Sequence, residues 1–310
     1  METGCDEGIN WAVDGHPAYH VKSRSFLAGL RGCKTLGGSV YIDYEADTPF
    51  DKNSSSHAED MILDLGSITH IRGSLDIHLS KWPITKVYAP YLEEIEGRLY
   101  VHDCPQLEQI IMPQLAHLGR YASLSTGGGM KLADLPKLRA MQVASQGVMT
   151  YFKGQYSESV DVEIARTRLE TLSFLRSVRL PGGFYSQQFK AFKIDSNHEL
   201  KEIDLSGWND GIELLRISDN HPLLAISMTN LSTVVDMQIN NAKGIFLPKL
   251  KNATGSIDIS NNTIEVMDFP NLISVVKNIS VTDNSRLFEI HFSHLKDVGG
   301  NIWMTGNFAK

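Results

Sequence analysis

The chain has 310 residues, a formal net charge of −7 and 42% hydrophobic residues, a composition typical of a folded globular protein. The acidic balance leaves no basic surface for a nucleic-acid backbone and argues against an anionic membrane surface as a partner. No apolar run reaches the roughly 18 residues that a membrane-crossing helix needs, so we predict no transmembrane segment.

The acidic segment Met1–Glu7 lacks the basic and apolar regions of a signal peptide. Two explanations follow. The protein is cytoplasmic with Met1 as its native start, or it is secreted and a leader was removed before this start.

The first 35 residues differ in pattern from the rest, and we predict that 1–35 forms an N-terminal cap. Ser23–Gly32 is typical of a short helix, with a serine at its N-cap and a glycine at its end. Such a unit would cover the open end of a solenoid, the repeat structure that the patterns of the following residues predict. In an oxidising compartment, Cys5 and Cys33 would crosslink this cap and stabilise it by roughly a few kcal/mol.

Three later segments share one pattern, Gly38–Asp43, Gly73–His78 and Gly97–His102. Their apolar and polar residues alternate, so one set points into a core while the other points outward. We therefore predict three strands that stack side by side in a parallel sheet.

A second pattern is a proline followed two residues later by a leucine, which starts at Pro90, Pro113, Pro136, Pro248 and Pro270. The spacing is about 23 residues, a period typical of a leucine-rich solenoid. Asn197 and Asn220 recur at a similar interval, and such asparagines can stack as a ladder that satisfies unpaired backbone groups. We predict a single solenoid of roughly ten to twelve coils over 36–310.

Two stretches interrupt the repeat. Residues near 44–62 are polar and rich in turn-forming residues, which predicts a surface insertion. Residues near 142–188 match the repeat poorly and predict irregular coils with longer loops. Insertions in solenoids often lie on the binding face, although a poorly matched repeat without function explains the second stretch equally well.

N-glycosylation sequons are more frequent than the composition predicts. Most cluster in one part of the chain, which indicates a face exposed to a glycosylating compartment. The alternative is that asparagine, serine and threonine are simply residues of the repeat. The sequons start at Asn53, Asn230, Asn252, Asn261 and Asn278.

The order of these motifs resembles a known family. The segment from Cys33 to Ile42, preceded by Cys5, is similar to the cap and first strand of receptor L-domains. Together with Ile257–Asn262 and Phe269–Val275, it resembles more closely the fungal cell-wall proteins of the extracellular-mutant and sporulation-specific family. The resemblance covers about residues 5–304.

That resemblance implies a mainly β, right-handed leucine-rich-repeat or β-helix solenoid of receptor L-domain type. It also implies a secreted, N-glycosylated protein, tethered by a GPI anchor at the plasma membrane or the cell wall. Family members support wall integrity and offer no catalytic residues to carry over. The expected partner is a cell-wall polysaccharide or a surface protein, without cofactor or metal.

One set of polar residues is a candidate site. If the three strands align, their outward side chains form two rows, Tyr41, Asp76, Tyr100 and Asp43, His78, His102. We predict ligand binding by Tyr41, Asp76, His78, Tyr100 and His102, although outward positions on a sheet are often polar without function.

The same rows support an alternative function. An aspartate beside a histidine can orient a general base, and two histidines with a carboxylate form a donor set that metals accept. If the protein is an enzyme of cyclase or isomerase type with a small-molecule pocket, its catalytic residues would be Asp43, Asp76, His78, Tyr100 and His102. The first interpretation is a non-enzymatic extracellular solenoid with a structural or recognition role.

Overall fold

The structure is a computed structural model. It describes residue 5 and residues 18–43, 61–119, 129–143, 149–151, 161–172, 178–179, 189–206 and 211–306. Most of the predicted insertion near 44–62 and several segments of the irregular coils near 142–188 lie outside the described residues. Across the described part of the chain, the backbone forms one helix and a series of short strands.

The chain divides into two compact units, unit 1 (Met1–Glu158) and unit 2 (Ser159–Lys310). The predicted boundaries of a cap at 1–35 and a single solenoid over 36–310 remain predictions. In unit 1 the elements are β1 (Ala18–Val21), α1 (Arg24–Leu30), β2 (Thr35–Leu36), β3 (Ser39–Asp43), β4 (Ile62–Asp64), β5 (His70–Ile71), β6 (Leu75–His78), β7 (Lys86–Tyr88), β8 (Glu94–Ile95), β9 (Arg98–His102), β10 (Gln109–Met112), β11 (His117–Leu118), β12 (Gly129–Leu135), β13 (Ala140–Val143) and β14 (Met149–Tyr151).

Unit 1 is a stack of three-sided coils. Its strands form three parallel sheets, in the orders β1-β3-β6-β9-β12, β4-β7-β10-β13 and β2-β5-β8-β11-β14. Successive strands visit the three sheets in turn, so each coil pairs with the coil before it and the coil after it. The core lies inside the coils, where the leucines of the Pro-x-Leu pattern are fully buried, as predicted: Leu92, Leu115 and Leu138.

Unit 2 contains the elements β15 (Asp161–Thr167), β16 (Val178–Arg179), β17 (Phe189–Asp195), β18 (Glu202–Asp204), β19 (Ile212–Ser218), β20 (Leu224–Ser227), β21 (Thr233–Asn240), β22 (Ala242–Phe246), β23 (Asn252–Ala253), β24 (Ile257–Ser260), β25 (Val266–Asp268), β26 (Ser274–Val275), β27 (Ile279–Asn284), β28 (Glu289–His291), β29 (Asp297–Val298) and β30 (Ile302–Gly306). The main parallel sheet runs β15-β17-β19-β21, and β21 then pairs with both β23 and β24. The first branch continues to β26 and β29, and the second continues to β27 and β30. Smaller parallel sheets are β18-β20-β22 and β25-β28.

A buried asparagine ladder, defined here as Asn197, Asn220, Asn262 and Asn284, lines one corner of unit 2. The backbone N–H and the side-chain amide of Asn197 both donate to Oδ1 of Asn220 at 3.0 Å. The residue before each ladder position has a positive φ, as at Asp219 and Asp283, a conformation that aspartate and asparagine tolerate best among residues other than glycine. The predicted ladder is thereby confirmed.

The predicted cap helix is α1, which Ser23 caps by accepting a hydrogen bond from the Phe26 N–H at 3.2 Å. Cys5 and Cys33 form a disulfide with a Cα–Cα distance of 5.5 Å. The mainly β solenoid fold with parallel sheets and a short N-terminal helix is confirmed, while right-handedness and membership of the leucine-rich or receptor L-domain class remain predictions. No helix in the described segments is both long and apolar enough to cross a membrane.

Candidate functional site

The structure aligns the three strands β3, β6 and β9 as the sequence predicted. Tyr41 is opposite Asp76, which is opposite Tyr100, and we call these three residues the tyrosine row. Asp43, His78 and His102 are opposite one another in the same way and form the histidine row. Because adjacent strands lie about 4.8 Å apart, neighbouring side chains within each row are within contact distance.

The tyrosine row carries aromatic rings with polar neighbours. His20 of β1 stacks on Tyr41, with ring centroids 5.1 Å apart and planes at 15°. At the other end, Nη1 of Arg98 donates to the hydroxyl of Tyr100 at 2.6 Å, and its guanidinium lies 5.9 Å from the ring centroid. Both tyrosines are thereby held in place, which lowers the entropy cost of ligand binding.

The histidine row is a cluster of imidazole rings and carboxylates. His78 and His102 stack with ring centroids 5.1 Å apart and planes at 12°. Nε2 of His102 lies 3.0 Å from Oδ1 of Asp76, which joins this row to the tyrosine row. Nδ1 of His102 lies 2.9 Å from Oδ2 of Asp103, a residue at the end of β9. The structure thus brings all of the predicted site residues together and adds Asp103.

Two carboxylates set the protonation of His102. Its hydrogen bond with Asp76 is the largest cause of a pKa raised from 6.5 to about 9; Asp103 adds to this effect and burial opposes it. At neutral pH the ring is therefore an imidazolium that donates from both nitrogens. A general base must be unprotonated near the working pH, so this geometry argues against His102 as a general base.

Cys104 follows Asp103 and takes the corner position that asparagines occupy in unit 2. Its thiol is buried and lies 3.2 Å from the carbonyl oxygen of His102, to which the S–H can donate. Burial raises the pKa of this thiol to about 12. A protonated, inaccessible thiol is not a nucleophile, so Cys104 is a structural residue beneath the histidine row.

A second polar row in unit 2 lies beside a cleft of about 300 Å³. Gln238, Asp258, Ser280 and Trp303 are opposite one another on β21, β24, β27 and β30. Trp303 is 49% exposed. Oδ1 of Asp258 is buried without a hydrogen-bond partner among the described residues. Asp258 was not among the predicted site residues, although its alternation with Ile257 and Ile259 marks it as an outward residue.

Four of the five sequons fall on described residues, and Asn53 lies outside them. Asn261 is exposed, and its amide donates to Asn241 at 3.3 Å. Asn230 is half-buried, and its amide donates to the Ser206 carbonyl of the neighbouring coil at 2.5 Å. Oδ1 of Asn278 accepts from the Asn301 N–H at 2.9 Å. Glycosylation of these asparagines remains a prediction, and Asn261 is the best placed of the four.

The chain is similar to several fungal proteins, two of which are named for the cell wall or the cell surface. The chain is 22% identical over 269 residues to the cell wall protein ecm33 of Schizosaccharomyces pombe, covering 87% of this chain and 55% of that protein. It is 22% identical over 295 residues to sporulation-specific protein 2 of Saccharomyces cerevisiae, covering 93% and 50%. A cell surface GPI-anchored protein of Arthroderma benhamiae is 24% identical over 296 residues, covering 93% and 69%.

This chain therefore spans about half the length of the first two of these relatives. No family model matches the chain. No solved structure matches it either. The match to the extracellular-mutant and sporulation-specific proteins confirms the resemblance that the sequence motifs indicated.

Proposed function

Because the chain is similar over most of its length to Ecm33 and sporulation-specific proteins of fungi, we propose that it is an extracellular, non-enzymatic protein of the cell wall or cell surface. Its role is to recognise a wall polysaccharide with the outward face of unit 1. The names of two relatives, a cell wall protein and a GPI-anchored surface protein, support this localisation and a GPI anchor.

The observation that carries the recognition role is the convergence of Tyr41, Asp76, His78, Tyr100 and His102 on one face of three adjacent strands. A polysaccharide is an extended chain of hydroxyl groups. The face presents phenol hydroxyls and carboxylate oxygens, so it can both donate and accept hydrogen bonds along such a chain.

The held geometry of this face favours binding. Arg98 orients Tyr100, His20 covers one side of the Tyr41 ring, and the ion pair between Asp76 and His102 links the rows. The cleft at Trp303 supports the same conclusion for unit 2, since an exposed indole suits the face of a sugar ring.

The experiment is co-sedimentation of the purified chain with insoluble fungal wall polysaccharide, in a buffer with a chelator. We expect saturable binding that the double substitution Tyr41→Ala/Tyr100→Ala weakens about tenfold, which corresponds to about 1.4 kcal/mol. His102→Ala should weaken it as well, because Asp76 loses its partner.

The matched control is Tyr88→Ala/Tyr91→Ala, which removes two exposed tyrosines of unit 1 that lie outside both rows. Circular dichroism of each variant checks its folding. Failure to sediment with the polysaccharide, or equal losses in the control and the test variant, would overturn the recognition role.

A further inference from the structure

The carboxylate of Asp103 lies near one ring nitrogen of each of the stacked histidines, His78 and His102. Its Oδ2 is 2.9 Å from Nδ1 of His102 and 3.9 Å from Nε2 of His78. One ligand atom from each of these three residues lies within 4.8 Å of the other two. Two imidazoles and a carboxylate thus lie close enough together to reach one ion.

The opposite nitrogen of each imidazole faces a different carboxylate. Nε2 of His102 lies 3.0 Å from Asp76, and Nδ1 of His78 lies 3.8 Å from Asp43. A histidine that ligates a metal typically donates its other ring N–H to a carboxylate or carbonyl, which orients the ring and makes the ligand more basic. His102 has that second partner at hydrogen-bond distance, whereas the Asp43 carboxylate lies just beyond hydrogen-bond distance of His78.

We propose that His78, His102 and Asp103 bind a divalent transition-metal ion of the zinc type, with Asp76 and Asp43 as the carboxylates that orient the two histidines. This site goes beyond the recognition role and does not depend on it. It also revises the sequence-based prediction that the protein has no metal site.

The dimensions fit such an ion. Ligand atoms around a tetrahedral Zn²⁺ with bonds of about 2.0–2.1 Å are about 3.3 Å apart. The two measured separations from Asp103 lie on either side of this value, and the side chains of His78 and Asp103 are 36% and 50% exposed. Because a metal ion lies in the plane of each imidazole that binds it and the two rings are stacked, the partly exposed His78 ring would rotate about its side-chain bonds to bring Nε2 to the ion.

The charges and donor types favour the same class of ion. Asp43, Asp76 and Asp103 surround two histidines, and this excess of carboxylates attracts a dication. Zn²⁺ displaces the proton of a histidine ligand when it binds, and Nδ1 of His102 is the nitrogen that faces Asp103. Two nitrogen donors suit Zn²⁺, Cu²⁺ or Ni²⁺, whereas Ca²⁺ and Mg²⁺ prefer oxygen ligands.

The strand pairing fixes the backbone positions of the cluster. His78 and His102 are held opposite each other by the pairing of β6 with β9. Asp103 adopts a positive φ of 51° immediately after β9. Since Asn tolerates this backbone conformation as well as Asp does, Asp103→Asn removes the anionic ligand without backbone strain.

The test is calorimetric titration of the full, tag-free chain with ZnCl₂ after removal of metal by a chelator. A histidine tag would itself bind Zn²⁺ and obscure the titration, since the chain already contains 11 histidines. We expect one ion per chain, and a more than tenfold loss of affinity in His78→Ala and in Asp103→Asn. Asp76→Asn, which changes only an orienting partner, should cost about 10- to 100-fold.

His20→Ala is the matched control, because His20 is an exposed histidine of the same sheet outside the cluster. Its Zn²⁺ affinity should equal that of the unchanged chain. In long-range ¹⁵N imidazole spectra, Zn²⁺ should shift the ring signals of His78 and His102 and leave His20 unchanged. CaCl₂ should produce neither effect.

Three results would overturn the site: no saturable binding of Zn²⁺, equal losses in His20→Ala and His78→Ala, or Ca²⁺ binding as tight as that of Zn²⁺. The titration contains no polysaccharide, and the co-sedimentation contains a chelator. A failure of either proposal can therefore be distinguished from a failure of the other.

Discussion

Replacement of one asparagine of the ladder should destabilise unit 2 far more than a surface substitution does. Oδ1 of Asn197 accepts from the backbone N–H of Thr167 at 3.0 Å, and its amide donates to the Ile164 carbonyl at 2.9 Å. Asn197→Ala leaves both backbone groups buried and unpaired. At about 1–3 kcal/mol for each unsatisfied buried group, the loss is about 2–6 kcal/mol.

The measurement is urea unfolding followed by circular dichroism, which yields the free energy of unfolding for each variant. The matched control is Asn271→Ala. Asn271 is exposed and donates to the Pro248 carbonyl at 2.7 Å, so its loss should cost no more than about 0.5 kcal/mol.

Asn197→Asp separates hydrogen bonding from loss of volume. The side chain keeps its size, but it loses the amide N–H groups and directs oxygen at the carbonyls of Ile164 and Asp195. We expect it to be at least as destabilising as Asn197→Ala. A value near that of the unchanged chain would refute the hydrogen-bond explanation, as would an Asn197→Ala loss below about 1 kcal/mol.

Three further predictions concern unit 1. The double substitution Cys5→Ser/Cys33→Ser should lower the free energy of unfolding by about 3–4 kcal/mol in the chain-entropy model, because the disulfide joins residues 28 positions apart. An unfolding curve unchanged by this substitution would contradict that value. His102 should titrate near pH 9 by NMR in chelator-treated protein. Its contribution to the free energy of unfolding should be complete below the unfolded pKa of 6.5 and should vanish as pH rises through about 9. Asp76→Asn should return that pKa towards 6.5. An unchanged pKa in this variant would show that Asp76 is not the main cause of the shift. Cys104 should react with a thiol reagent at pH 8 only after unfolding in urea, since burial raises its pKa to about 12; fast labelling of the native chain would contradict its burial.

Much of the fold follows from local patterns. Alternation of apolar and polar residues in segments such as Gly97–His102 specifies a half-buried strand, because successive side chains point to opposite faces. The regular spacing of Pro-x-Leu and of Asn197 and Asn220 specifies stacked coils. The helix near Ser23 was likewise predictable, since its cap is a contact between residues close in sequence.

The candidate site was only partly predictable. The two rows followed from the alignment of similar strands, and the structure places those residues as predicted. Asp103 was missed, because nothing in its local sequence shows that a positive φ directs the carboxylate towards Nδ1 of His102. Asp258 was missed because burial of one of its oxygens depends on neighbouring coils.

Local sequence patterns were enough to predict the strands, their repetition and the asparagine ladder. Periodicity and backbone preference are properties of short segments, so they can be read without knowledge of the tertiary structure. Tertiary structure alone decided which residues meet across coils. Asp76 and His102 are 26 positions apart and lie 3.0 Å from each other only because β6 and β9 pair in one register. A shift of that register by one residue would turn every side chain of a strand to the opposite face, so the packed core that holds the register also assembles the site.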